Sequence, residues 1–185
     1  LIGAHGNVYP ATTALIELGA RVEGGEVEGQ VAVAQTRAPI EAVYITPADP
    51  PAHPPAVAAI RAADQIVLGP GSLFTSLIAT LSVPGIVTAV RESRAVKVFV
   101  CNGRRQKGET EGLDASAHLD ALRRHAGDDI VDAMIVHSPV LAVDGIEVDA
   151  ALRSSAVRLI EAEVVRSDGA HDPARLAEVL APLRK

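Results

Sequence analysis

"DQIVLGPGSLFTS", residues 64–76, decides how this chain is read. The stretch "QIVL" reads as a short apolar strand, and it runs straight into Gly-Pro-Gly. Beyond the break, Phe74, Leu77, Ile78 and Leu81 recur at the i, i+3, i+4, i+7 spacing of a buried helical stripe. Strand, glycine turn and helix therefore follow one another within twenty residues.

The same unit repeats downstream. A second helix starts near Pro84 and carries Ile86, Val87 and Val90 as far as Arg94, and "AVKVFVCN" (95–102) is almost continuously apolar. Asp114 is an N-cap for "ASAHLDALRRHAG", and "DIVDAMIVH" (129–137) supplies a further strand. "SAVRLIEAEVV" (155–165) reads as one more strand. "HDPARLAEVLAPL" (171–183) reads as a closing helix with Asp172 as cap, Pro173 in its first turn, and Leu176, Val179, Leu180 and Leu183 facing inward. Residues 138–155 carry no clear pattern. The recurrence predicts an α/β fold: a Rossmann-like, doubly wound, mostly parallel sheet in three α/β/α layers.

Upstream the character differs. "ATTALIELGARV" and "QVAVAQ" show β-branched alternation around Gly19, Gly24 and Gly25, which predicts short strands joined by turns, and "EAVYIT" (41–46) reads as another strand. The proline cluster "TPADPPAHPP" (46–55) closes this part, and "AVAAIRAAD" then places Val57, Ile60 and Ala63 on one side of a helix running to Asp64. The expected organisation is a single α/β domain over 1–185, with a β-rich segment to residue 46, a βα core over 55–137, and a terminal strand and helix over 138–185.

Composition excludes several functions. The 185 residues carry a formal charge of −6, and Tyr9, Tyr44, Phe74 and Phe99 are the only aromatics, so neither a basic surface nor stacking platforms exist for nucleic acid. A single cysteine, Cys101, rules out an intrachain disulfide framework, and no apolar run reaches the length of a membrane span. The cytoplasm is the expected compartment. "LIGAHGNVYP" resembles an interior passage more than a beginning.

Open parallel sheets bind ligands beyond the carboxyl ends of their strands, where a loop offers free amides at the start of the next helix. Residues 69–72 occupy such an end. Gly69 and Gly71 permit close approach, Pro70 stiffens the turn, and Ser72 either caps the helix or donates to a bound oxygen. A phosphate or diphosphate suits such a place. Thr75, Ser76, Ala79 and Thr80 fall opposite the apolar stripe, leaving hydroxyls for a ligand or a packed second chain. A turn of this kind also arises simply because a strand must reverse into a helix, and both readings stand. A nucleophile elbow at Ser72 is disfavoured, because Phe74 stands where that motif needs glycine.

The loop "CNGRRQKGETEG" (101–112) follows the next strand and should emerge on the same edge. Arg104, Arg105 and Lys107 suit phosphate oxygens, and Asn102 and Thr110 could orient a sugar or phosphate, unless the loop is only a solvated surface. Glu109 and Glu111 are weak candidates for a magnesium ion, so no metal is expected. Cys101 reads as a buried small hydrophobe. The histidines at 5, 53, 118, 125, 137 and 171 lack close ligand spacing, although His137 ends a strand at the presumed ligand edge.

Three of these stretches, "ADQIVLGPGSLFTSL", "VCN" followed by "GET", and "GNVYPAT", together resemble the YvcK branch of the CofD-like family. The resemblance implies a cytoplasmic bacterial protein that binds UDP-sugars such as UDP-N-acetylglucosamine, needs no cofactor, and is linked to cell shape and peptidoglycan synthesis during growth on gluconeogenic carbon. The related CofD branch transfers a 2-phospho-L-lactyl group to a deazaflavin, which is the alternative function. The residues carried over are Gly69, Pro70, Gly71, Ser72, Thr75 and Ser76, then Asn102, Gly108, Glu109 and Thr110, with Asn7 and Pro10 near the start. Members normally begin with a glycine-rich nucleotide loop and an Asp-Asp-Gly-Gly segment, neither of which occurs here, and "GRR" (103–105) replaces a more apolar triplet. The chain is therefore expected to be the C-terminal part of a longer CofD-like domain. A third reading is an interaction module without ligand, whose uncovered apolar sheet would favour homo-oligomers.

Overall fold

The computed structural model describes residues 6–184, so His5 lies outside the described residues. Two sheets organise the chain. β1 (Glu17–Val22) is flanked by β2 (Gly25–Glu28) and β3 (Ile40–Thr46), both antiparallel to it. The β1–β2 hairpin turns at Gly24, whose φ of 89° suits glycine.

"QVAVAQ" is not the strand its alternation suggests but a helix, α1 (Gln30–Gln35). The strand order β2-β1-β3 explains the difference: the link from β2 to β3 must cross over β1, and a helix makes that crossing while satisfying its own backbone. On a strand Val31 and Val33 would share a face. On the helix they part, with Val33 wholly buried and Val31 67% exposed.

The second sheet is the parallel one. α2 (Pro54–Arg61) leads into β4 (Gln65–Leu68), and a π-helical stretch, Leu73–Ile78, continues as α3 (Ala79–Leu81) and turns into α4 (Pro84–Glu92). β5 (Val96–Val100), α5 (Ala115–Ala126), β6 (Ala133–His137), α6 (Ala150–Arg153), β7 (Arg158–Ala162) and α7 (Pro173–Leu180) complete the order. The strands lie β4-β5-β6-β7, all parallel. α2 ends at Arg61, short of the expected Asp64. The caps are the predicted ones: Asp114 accepts from the Ala117 amide, and Asp172 from those of Ala174 and Arg175.

Strand alternation divides the core into two layers. Phe99, Cys101, Met134 and Val136 face the larger cluster, which also takes Leu73, Phe74, Ile78, Ile86 and Leu119. Val98, Val100, Ala133 and Ile135 face the other side, where Leu176, Val179 and Leu180 of α7 and the buried Leu183 cover them. This is the three-layer α/β/α arrangement, with the antiparallel sheet adjoining the larger layer. No single helix among the described residues is long and apolar enough to cross a membrane.

Candidate functional site

The Gly-Pro-Gly turn leaves the carboxyl end of β4, and the 101–112 loop leaves the carboxyl end of the neighbouring β5, so both occupy one edge. Gly69 holds a φ of 83°, and a Cβ there would stand 2.9 Å from the Val100 carbonyl oxygen, so glycine is required. Gly71 has no such need: its Cβ would meet nothing nearer than the Ser76 Cβ at 3.9 Å.

The two loops are latched directly. Asn102 Nδ2 donates to the Gly71 carbonyl at 2.9 Å and to Gln106 Oε1 at 3.1 Å, and Gln106 Nε2 donates to Ser72 Oγ at 3.0 Å. Ser72 is therefore held by the neighbouring loop and makes no side-chain cap bond. Its carbonyl accepts from the Leu77 amide at 3.0 Å, the i to i+5 bond of the π-helical turn.

The helix start has its own anion. Glu109, 8% exposed, accepts from Thr75 Oγ1 at 2.6 Å and from the amides of Phe74 and Thr75 at 3.2 and 3.4 Å. Thr110, fully buried, accepts the Gln106 amide through Oγ1 at 2.7 Å and so folds the loop that presents Glu109. Both Glu109 oxygens thus serve the helix start, where negative charge is favoured. Thr75 is spoken for by the same contact. What stays open is one step earlier: the amides of Gly71, Ser72 and Leu73 have no acceptor among the described residues.

The basic residues go elsewhere. The Arg104 guanidinium donates to the Ser167 carbonyl at 3.3 Å and packs on Gly169, and Arg105 Nε donates to the Leu113 carbonyl at 3.0 Å. Neither side chain bonds to residues 69–76. Lys107 and Glu111 border a separate cavity of about 610 Å³ beside the end of α1, where Arg37 joins them. Gly108 passes so close to α1 that a Cβ would stand 2.7 Å from the Ala34 carbonyl oxygen, which makes its role one of fit. Asn7 and Pro10 are exposed on the entering segment, which is tied down where the Ala11 carbonyl accepts the His53 amide.

Among the described residues no group of three or more His, Cys, Asp or Glu is placed to hold a metal. Two of the described histidines tie elements of the fold together. His137 Nδ1 accepts the amides of Val164 and Val165 at 3.2 Å each, and His125 Nε2 accepts the Val43 amide at 3.0 Å, tying α5 to β3. Burial lowers the pKa of His118, His125, His137 and His171 below the usual imidazole value. Burial also pushes the Cys101 thiol up to about 12, so it is inert.

Beside the π-helix lies a cleft of about 550 Å³, bounded by β1, the start of α1, and the face bearing Thr75, Ser76, Ala79 and Thr80. Those four residues are the hydroxyl face read from the sequence. Gln106 was not singled out there, although its place four residues after Asn102 and four before Thr110 is a turn spacing that pointed to it.

Comparison with known proteins places these features in context. The family described as 2-phospho-L-lactate transferase CofD matches residues 1–172. The gluconeogenesis factor of Halalkalibacterium halodurans is 42% identical over 138 residues, covering 74% of this chain and 43% of that protein. A gluconeogenesis-factor homologue from Mycobacterium leprae is 37% identical over 201 aligned positions, covering 100% of this chain and 54% of its own length. A crystal structure of a UPF0052-family protein from Bacillus halodurans superposes with a TM-score of 0.87 at 34% identity, covering 93% of this chain and 60% of that one. The chain thus spans about half the length of these curated relatives.

Proposed function

This chain belongs to the CofD family, on the branch of the gluconeogenesis factors and UPF0052 proteins, and from that premise we propose that it binds a nucleotide sugar and acts as a regulator without catalysing a reaction. The observation that carries the reading is the run of three unclaimed amides at Gly71, Ser72 and Leu73, immediately before the two that Glu109 occupies. Adjacent amides of this kind suit an anion with several oxygens, and a diphosphate supplies them.

Glu109 alters where that anion sits. Its carboxylate already meets the helix start, so the diphosphate lies one step outward, on the turn itself. Arg104 and Arg105 position the neighbouring loops, and the counter-charge comes from backbone dipoles. The ligand is a UDP-sugar such as UDP-N-acetylglucosamine, in a cytoplasmic setting, with a role in cell shape and peptidoglycan synthesis on gluconeogenic carbon. The names of the relatives support the metabolic part of this reading.

Calorimetric titration of the protein with UDP-N-acetylglucosamine tests it. Saturable binding is expected, and Gly71→Ala weakens it while the melting temperature holds, since an added Cβ meets nothing nearer than the Ser76 Cβ at 3.9 Å. A flat titration of the unaltered protein overturns the reading. The second reading, transfer of a 2-phospho-L-lactyl group to a deazaflavin, is favoured by the description of the matched family. Turnover of a deazaflavin with a nucleotide-linked phospholactate would put it first.

A further inference from the structure

We infer that His125 is an acid-sensitive latch, which ties the antiparallel sheet to the parallel half of the molecule while its ring is neutral and releases β3 when the ring is protonated.

The junction between the two halves is nearly all apolar. β3 is an outer strand of the antiparallel sheet and lies against α5, on whose last turn His125 stands. There Nε2 accepts the Val43 amide at 3.0 Å. Among the described residues, Arg94 aside, no other hydrogen bond or ion pair joins residues 17–46 to residues 54–184. The remainder is packing: Leu18, Val33, Val43 and Ile45 share the larger core cluster with Phe74 and Ile78. The cleft of about 550 Å³ has β1 and the start of α1 on one side and the π-helix on the other, so loss of the latch loosens one of its walls.

Hydrogen bonding fixes the state of the ring. A carbonyl oxygen only accepts, so the contact of Nδ1 with the Ala121 carbonyl at 2.7 Å places the proton on Nδ1. Nε2 then keeps the lone pair that the Val43 amide needs. A second proton, on Nε2, would set N–H against N–H and break the tie. No carboxylate acts on the ring to favour that proton: the charges it feels are Arg124 of α5 and Arg21 of β1, both cations. The π-helix presents only the Phe74 ring, tilted at 73° with the centroids 6.3 Å apart. Glu26 of β2, beside Arg21 in the shallow cavity at Val43, accepts instead from the Tyr44 hydroxyl at 3.3 Å. Burial is the largest cause of the lowered pKa of His125; the bond to Ala121 opposes it, and the two arginines add to it. The tie is therefore complete above the free imidazole value of 6.5 and is lost as pH falls through the lower, folded one.

Amide hydrogen exchange of the whole chain, read residue by residue by NMR at pH of about 7.5 and about 5, tests the latch. One amide hydrogen bond corresponds to about a fivefold change in an opening equilibrium. The protection factor of the Val43 amide should therefore fall in acid about fivefold more than those of Val98 and Ile135 in the parallel sheet, which carry whatever the other histidines do to the fold as a whole. His125→Gln sets an oxygen that cannot titrate near the place of Nε2 and should remove this excess loss. Equal changes at Val43 and the two controls in the unaltered protein overturn the inference. An excess loss that persists in His125→Gln does so as well, because the titrating group then lies elsewhere. Should that variant not fold, the imidazole nitrogen signals of the unaltered chain decide. An Nδ1–H tautomer whose protonation midpoint coincides with movement of the Val43 amide supports the latch; an Nε2–H tautomer, or a Val43 amide unmoved as His125 titrates, overturns it.

Discussion

Replacing Glu109 by alanine probes the join between the two loops. The carboxylate accepts three hydrogen bonds in a buried position, one of them short, from the Thr75 hydroxyl at 2.6 Å. Hydrogen bonds to a charged acceptor contribute about 1.5–3 kcal/mol each. The two amide bonds, at 3.2 and 3.4 Å, are longer than the usual N–H···O distance and count for less. Relief of the buried charge offsets part of the loss, while the stranded donors of Phe74 and Thr75 are too covered for water to replace the carboxylate freely. The net cost is about 2–4 kcal/mol, which for a chain of this size lowers the melting temperature by about 5–15 °C. Glu109→Gln keeps an oxygen for the Thr75 hydroxyl and should fall between the two. Thermal unfolding followed by circular dichroism checks both. A Glu109→Ala melting point within about 2 °C of the unaltered protein refutes the reasoning, because the desolvation of the carboxylate would then cancel everything it holds.

Gly69→Ala should destabilise by about 2 kcal/mol or more, from the left-handed backbone and the Val100 carbonyl contact, whereas Gly71→Ala should leave the urea midpoint nearly unchanged; equal effects at the two positions would contradict the geometry. Four histidines have folded pKa values below their unfolded value of 6.5, so the unfolded chain takes up more protons on acidification. Their contribution is complete above that value and is lost as pH falls through it, so the urea midpoint should drop between neutral pH and pH of about 5.5, and a constant midpoint would show the imidazoles titrating freely. Cys101, wholly buried with its pKa raised to about 12, should react with a thiol reagent at mildly alkaline pH only once urea unfolds the protein; prompt labelling of the folded chain would disprove the burial.

Local signals made much of the parallel half legible. Pro84 and Pro173 open helices, Asp114 and Asp172 cap them, and the apolar runs at β4, β5 and β6 are strands, because a cap or a periodic stripe is decided within one or two turns of chain. "QVAVAQ" was not legible in that way: six residues are too few to separate the two periods, and the need to cross over β1 fixed the outcome.

The candidate site divides along the same line. By itself the sequence determined that a glycine turn ends β4, that a second loop ends the adjacent strand, and that hydroxyls line one face of the following helix. Only the tertiary structure decided that the carboxylate of Glu109, thirty-four positions from Thr75, occupies the helix start, and that Arg104 and Arg105 bond to loops elsewhere. A residue's charge is written in the sequence, but its direction is not. The partner of a buried carboxylate or a guanidinium is whichever group the packed chain brings within hydrogen-bonding distance, and that depends on every element between them.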